Sequence, residues 1–138
     1  MPDPATPTAH HSTLAFGRLY ADESGESHFG ALSTEMSERN FAPPAPPFWV
    51  SPMTPALRQG FLVVPTGWVG NLHPSPLRMW MFMLDGEMEF EASDGERRSL
   101  VAGSALLLED TTGKGHRSRV IGGLVATLAV VELPATQP

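Results

Sequence analysis

The chain has 138 residues with 9 Lys and Arg against 15 Asp and Glu, a net charge of −6, and no cysteine. One domain of this length can bury roughly two thirds of the surface that its unfolded chain would expose, enough for a core with an internal pocket. So acidic a chain has no basic stripe to neutralise a run of phosphates, which argues against a nucleic-acid partner. The absence of cysteine excludes disulfides, thiolate metal sites and a cysteine nucleophile, and permits a reducing compartment.

The opening stretch, "MPDPATPTAHHSTLAF", lacks the basic start and apolar run of a signal peptide, and no later run could span a bilayer. A soluble, cytoplasmic protein without a membrane partner is expected. Residues 1–12 are rich in Pro, Thr and Ala without an apolar period, so burial cannot offset the entropy of ordering them, and they read as a loose arm.

"TLAFGRLY" and "SHFGALST" are short β-prone runs around the acidic turn "ADESGE" and read as a first hairpin. In "NFAPPAPPFWVSPMTP" each proline removes an amide donor and restricts the residue before it, so extended coil is expected. Such a stretch could be a polyproline ligand for another domain. Phe41, Phe48 and Trp49 punctuate the prolines, however, and favour a segment that wraps its own domain.

From Leu57 onward strands follow one another, broken by glycine turns. "GFLVVPTGW" and "LRMWMFML" are two of them. "EMEFEA" alternates Glu87, Glu89 and Glu91 with Met88, Phe90 and Ala92, as a strand with one wet face should. Asp85-Gly86 and Asp94-Gly95 supply tight reversals. "SALLLED", "HRSRVIG" and "LVATLAVVEL" complete the series. No stretch sustains a 3.6-residue period, so the expected class is all-β, a sandwich or closed barrel. The division expected is an arm at 1–12, one domain at 13–134 and a tail at 135–138. Within the domain, 13–56 supplies N-terminal strands and a proline-rich cover, and 57–134 the barrel core.

The run from Gly67 to His116 resembles the cupin family of small jelly-roll barrels. Gly67, His73, Ser75, Met79 and Gly86 keep the spacing of the family's first motif, Gly-x5-His-x-His-x3–4-Glu-x6-Gly. "GSALLLEDTTGKGHRSRV", from Gly103 to Val120, is placed on the second motif, with His116 two residues beyond the expected position, no proline before it, and Val120 in place of asparagine. The resemblance implies a cupin-like jelly-roll (double-stranded β-helix) barrel with extra N-terminal strands. It also implies a metal site, iron, manganese, zinc or nickel, built from two histidines and a glutamate of the first motif and one histidine of the second. Here His73 and His116 remain, while Ser75 and Met79 stand where a histidine and the glutamate would. A serine hydroxyl is a weak ligand for a divalent ion and a thioether prefers softer Cu(I). The cofactor expectation is therefore either none or a single divalent ion on His73 and His116, completed by a carboxylate from Asp110 or Glu109.

With His73 and Ser75 pointing inward, strand alternation places Met79, Met81 and Met83 on the same face, Met83 as filler nearer the turn. His116, Ser118 and Val120 share a face of a second strand, with Arg117 and Arg119 on the other. "EDTTGKGH" is not a phosphate loop, since that spacing would need glycine at Leu108 and Ser or Thr at Gly115. Lys114, between two glycines, reads as a solvated or anion-greeting residue at the barrel rim.

The functional expectation is a barrel that binds a small, partly apolar organic molecule between His73, His116 and the methionine face. Ser75, Met79, Met81, Lys114 and Ser118 are candidate contacts, and His73, His116 and Asp110 are candidates for acid–base chemistry. The alternatives are a metal-dependent oxygenase or isomerase and a non-catalytic binding or sensing module. A homodimer is expected from the exposed edges of such barrels and the aromatics of the proline segment.

Overall fold

The computed structural model describes residues 13–136, so the expected arm at 1–12 and the last two residues of the expected tail lie outside it. The described residues form eleven strands and no helix. They are β1 (Thr13–Ala21), β2 (Ser27–Glu35), β3 (Ser37–Arg39), β4 (Phe48–Val50), β5 (Arg58–Val64), β6 (Met79–Asp85), β7 (Glu87–Ala92), β8 (Arg97–Val101), β9 (Ala105–Leu108), β10 (His116–Ile121) and β11 (Ala126–Glu132). None is a helix long and apolar enough to cross a membrane.

The chain divides into two compact units, the smaller including residues 32–54 and the larger residues 16–31 together with everything from Pro55 on. In the smaller unit β3 pairs with β4, and the rings of Phe41 and Phe48 lie 5.7 Å apart. This differs from the expected coil. Phe48 to Ser51 is the longest proline-free run between Pro43 and Pro55, and with their amides available Phe48, Trp49 and Val50 pair with Ser37–Arg39.

The larger unit is an all-β jelly-roll of two facing sheets. One runs in the order β2-β1-β9-β6-β11-β5 and the other β10-β7-β8. The two-residue periodicity of the strands decides what lies between them. Met79, Met81 and Met83 of β6 are buried, together with Leu106 and Leu108 of β9 and Leu128 of β11. Met88, Phe90 and Ala92 of β7, Leu100 of β8 and Val120 of β10 meet them from the other sheet. Glu87, Glu89 and Glu91 lie on the opposite face of β7, where Arg97, Arg117 and Arg119 pair with Glu91 and Glu89.

Two strands depart from the sequence expectation. The run "GFLVVPTGW" is a strand only to Val64, because Pro65 has no N–H to continue the ladder. β8 has no alternation to betray it, since Leu100 is its single buried residue.

The connection between β5 and β6 closes one side of the barrel by crossing to β10. Val69 bridges Arg119, and His73 bridges His116. The second bridge is reciprocal, each histidine N–H donating to the other's carbonyl at 2.9 Å. It requires the residue before His116 to be glycine. Gly115 has φ 78°, and a Cβ there would collide with the carbonyl group of His73 and with Pro74 N. Gly115→Ala is expected to cost at least about 3 kcal/mol, the upper end for forced left-handed backbone, and to lower the thermal midpoint accordingly. Gly60→Ala on β5, where a Cβ meets nothing within 4 Å, is the control and should stay within about 0.5 kcal/mol of wild type. Equal midpoints for the two variants in a thermal melt would contradict the bridge.

Candidate functional site

Inside the larger unit a cavity of about 460 Å³ opens between the sheets. The β5–β6 connection contributes Trp68, His73, Ser75 and Pro76, and β10 contributes His116 and Ser118. Met79 and Met81 come from β6, Met88 and Phe90 from β7, Leu108 from β9, Leu128 from β11, and Phe61 to Val64 from β5. None of the lining residues is Asp, Glu, Lys or Arg.

The two histidines brought together by the backbone bridge have ring centres 5.2 Å apart, inclined at 47°. Their partners settle where the ring protons sit. His73 Nδ1 is 2.6 Å from the backbone carbonyl of Asn71. A carbonyl can only accept, so Nδ1 carries the proton and donates. His116 is buried, and its Nδ1 lies 2.6 Å from Oδ2 of Asp110, a side chain with no exposed surface. In the neutral ring, donation from Nδ1–H to this carboxylate leaves the lone pair of His116 on Nε2, as donation to the Asn71 carbonyl does for a neutral His73. Asp110 is fixed in turn through its backbone carbonyl, which accepts the Ser75 N–H at 2.9 Å. Phe90 covers a further side of His116, with ring centres 5.8 Å apart.

The loop carrying Asp110 and His116 is tied to the β1–β2 turn. Glu109 N–H donates to Leu19 O at 2.7 Å, Lys114 N–H to Gly25 O at 2.8 Å, and the buried Ser27 hydroxyl to Gly115 O at 2.6 Å. The turn has its own clamp. His28 donates from Nε2 to Asp22 at 2.7 Å and from Nδ1 to Asp94 on the β7–β8 turn at 3.0 Å. The hydrogen bond to Asp22 is the main cause that raises the His28 pKa above its ordinary value, and the same bond is the main cause that depresses Asp22.

His73, His116, Ser75, Met79, Met81 and Ser118 all line the cavity, and Asp110 stands behind His116 instead of facing the space. Met83 is buried in the core and does not line this cavity. Lys114 lies elsewhere, with its ammonium 3.0 Å from Glu26. Sequence reasoning did not pick out β5, Trp68 or the Asn71 carbonyl as parts of the site. Only the inward alternation of Met88 and Phe90 on β7 offered a signal for the far wall.

The divalent ion implied by the family resemblance needs three or four hard or borderline donors, and the donor set here does not supply them. Among the described residues no three of His, Asp or Glu cluster as metal ligands would. Ser75 spends its hydroxyl proton on Leu77 O at 2.6 Å, and Asp110 is engaged with His116. Glu109 is held between Arg18 at 2.6 Å and Arg78 at 2.8 Å. Burial raises its pKa, but the hydrogen bonds from Arg78 and Arg18 outweigh burial and leave it below the usual range. The expected carboxylate repair is thus committed to other partners, and what remains is two imidazoles among thioethers.

No family model and no curated protein matches the chain. Solved structures similar to it include a cupin domain, that of Cnp3 from Schizosaccharomyces pombe, at 13% identity over 89% of this chain and 85% of that one, TM-score 0.46. Protein NMB1881 from Neisseria meningitidis is similar at 16% identity over 55% and 72%, TM-score 0.41. The iron(II) form of HppE in complex with substrate is similar at 17% identity over 54% of this chain but only 44% of that one, TM-score 0.39.

Two outcomes follow from the geometry. Long-range ¹H–¹⁵N spectra of the neutral imidazoles should place the proton on Nδ1 in both His73 and His116; an Nε2–H tautomer at either would break the assignment. The second concerns the clamp. Because the folded pKa of His28 lies above its unfolded value, its stabilisation is complete below about pH 6.5 and fades as pH rises through the folded value. The melting-point gap between wild type and His28→Ala should therefore be wide near pH 6 and narrow toward about pH 9. A gap that widens with rising pH would have the wrong sign.

Proposed function

We propose that the barrel binds a small, partly apolar organic molecule in this cavity, with His116, oriented by Asp110, as its acid–base group. One observation carries the reading: His116, backed by the buried Asp110 at 2.6 Å, forms part of the wall of a mostly apolar 460 Å³ space. A space of that size falls in the range of ordinary small-molecule sites. Its flexible thioethers adapt to irregular apolar shapes. Asp110 holds the imidazole in one tautomer and orientation, so that Nε2 can take a proton from a bound molecule while the carboxylate stabilises the imidazolium that results. The open interior favours this reading over a structural barrel packed solid with methionine. A cytoplasmic setting is part of this proposal, and the absence of cysteine is compatible with it. The homodimer belongs to the same proposal. β5 is a sheet edge whose Phe61 and Val63 are 71% and 70% exposed, and a clean monomer in sedimentation at micromolar concentration would remove it.

Methionine methyl groups offer a direct test. With methyl-labelled methionine and a library of small apolar and amphiphilic molecules, binders should shift the signals of Met79, Met81 and Met88. The exposed Met53 should stay in place. Shifts confined to Met53, or none across the library, would sink the proposal. For any binder that is also turned over, His116→Ala should lower kcat by about 10²–10⁴-fold, the usual weight of a general acid–base group, while the methyl shifts on binding persist.

A further inference from the structure

The two imidazoles specify more than a place to bind. Each has its Nδ1 proton engaged away from the cavity, His73 with Asn71 O and His116 with Asp110. The sealed, unpartnered side-chain polar atoms among the described residues are Trp49 Nε1 and Asp110 Oδ1. His116 Nε2 is not among them and has no partner among the described residues, so the small exposed area of this residue includes an open acceptor on the cavity wall. His73 presents a second acceptor from a ring centred 5.2 Å away.

We infer that the preferred ligand is an uncharged molecule with two neighbouring hydrogen-bond donors, such as a vicinal diol, on an apolar body. This rests on the cavity being the binding site, as proposed above. Rings centred 5.2 Å apart are close enough for one molecule with donors on adjacent atoms to address both, at ordinary hydrogen-bond lengths of about 2.8 Å. An anionic ligand would meet two lone pairs and no Lys or Arg in the lining, an uncompensated burial of charge. A fully charged cation finds no carboxylate facing it, because Asp110 is sealed behind His116. Ser75 cannot rescue an acceptor-rich ligand, since its proton goes to Leu77 O. Ser118, buried on the same wall with no side-chain partner among the described residues, has a hydroxyl that can turn to receive from or donate to the diol.

The test is calorimetric titration of chelator-treated protein with three matched molecules: styrene glycol, its dimethyl ether and mandelate, which carries a carboxylate where the glycol has its second carbinol. The glycol should bind about tenfold tighter or more than either analogue, as two added hydrogen bonds warrant. His73→Ala should bring the glycol down to the level of the ether. His116→Gln should do the same, and the exposed position of His73 keeps the test valid should the buried variant fail to fold. An ether that binds as well as the glycol, or mandelate binding tighter, overturns the inference. So does glycol binding that emerges only after zinc or copper is added, because the two nitrogens would then serve a metal. If none of the three binds while other molecules still shift the methyl signals of Met79, Met81 and Met88, the paired-donor inference falls and the cavity proposal stands. If no molecule shifts them, the cavity proposal itself has failed.

Discussion

The site depends on one pair of backbone hydrogen bonds. His73 and His116 exchange N–H and C=O at 2.9 Å across strands that are far apart in sequence, and this contact pins the β5–β6 connection to the edge of the smaller sheet. The neighbouring Val69–Arg119 bridge joins the same two elements, but only the histidine pair fixes the backbone at the two imidazoles themselves. With it the rings are neighbours, and the cost of aligning them is met by folding in advance of any ligand. Gly115 is the steric condition of the contact, since a side chain at that residue would occupy the peptide of His73 and Pro74.

The dyad loop is fixed from behind by groups that never touch the cavity. Lys114, Gly115 and Glu109 are all tied to residues on or beside the β1–β2 turn, and that turn is clamped to the β7–β8 turn by a histidine bonded at both ring nitrogens. The Asp22–His28–Asp94 clamp lies at the surface, where a single ion pair contributes little. Its importance is geometric, because three loops that would otherwise move independently share one set of hydrogen bonds. Asp110 needs that rigidity. A side chain with no exposed surface tolerates little displacement from its single imidazole partner.

Much of the fold could be read from the sequence because strand alternation is a local property. The glutamates of β7 alternate with apolar residues and face outward, whereas β6 is apolar on both faces and its methionines are placed inward through His73 and Ser75; both strands lie with the expected face inward. β8 escaped notice because Leu100 is its lone inward apolar residue, and β4 because prolines surround it. The candidate residues His73, Ser75 and His116 were legible through a family spacing. Their hydrogen-bond partners were not, because the Asn71 carbonyl is backbone and carries no sequence signal. Lys114 looked like a rim residue, but a lysine between glycines has no marker for the Glu26 side chain that it meets across the β1–β2 turn. β5 could not be read as a cavity wall, since "FLVV" is continuous and gives no indication of which residues face inward.

The departures at Ser75 and Met79 decide what kind of chemistry the pocket can hold. A histidine and a carboxylate at those positions would add two electron-pair donors aimed at a shared centre and would favour a divalent ion. Here the hydroxyl is committed to a backbone carbonyl and the thioether is a neutral, soft donor. The remaining carboxylate, Asp110, lies behind an imidazole, where it sets the tautomer instead of neutralising a cation. Each change removes a metal-ligating group from the cavity, and Met79 in place of a glutamate also removes a charge, without removing the two acceptors. Under the proposed reading such a pocket selects by directional hydrogen bonding against an apolar background, because a molecule lacking the matching donors leaves the acceptor of the buried His116 unpaired.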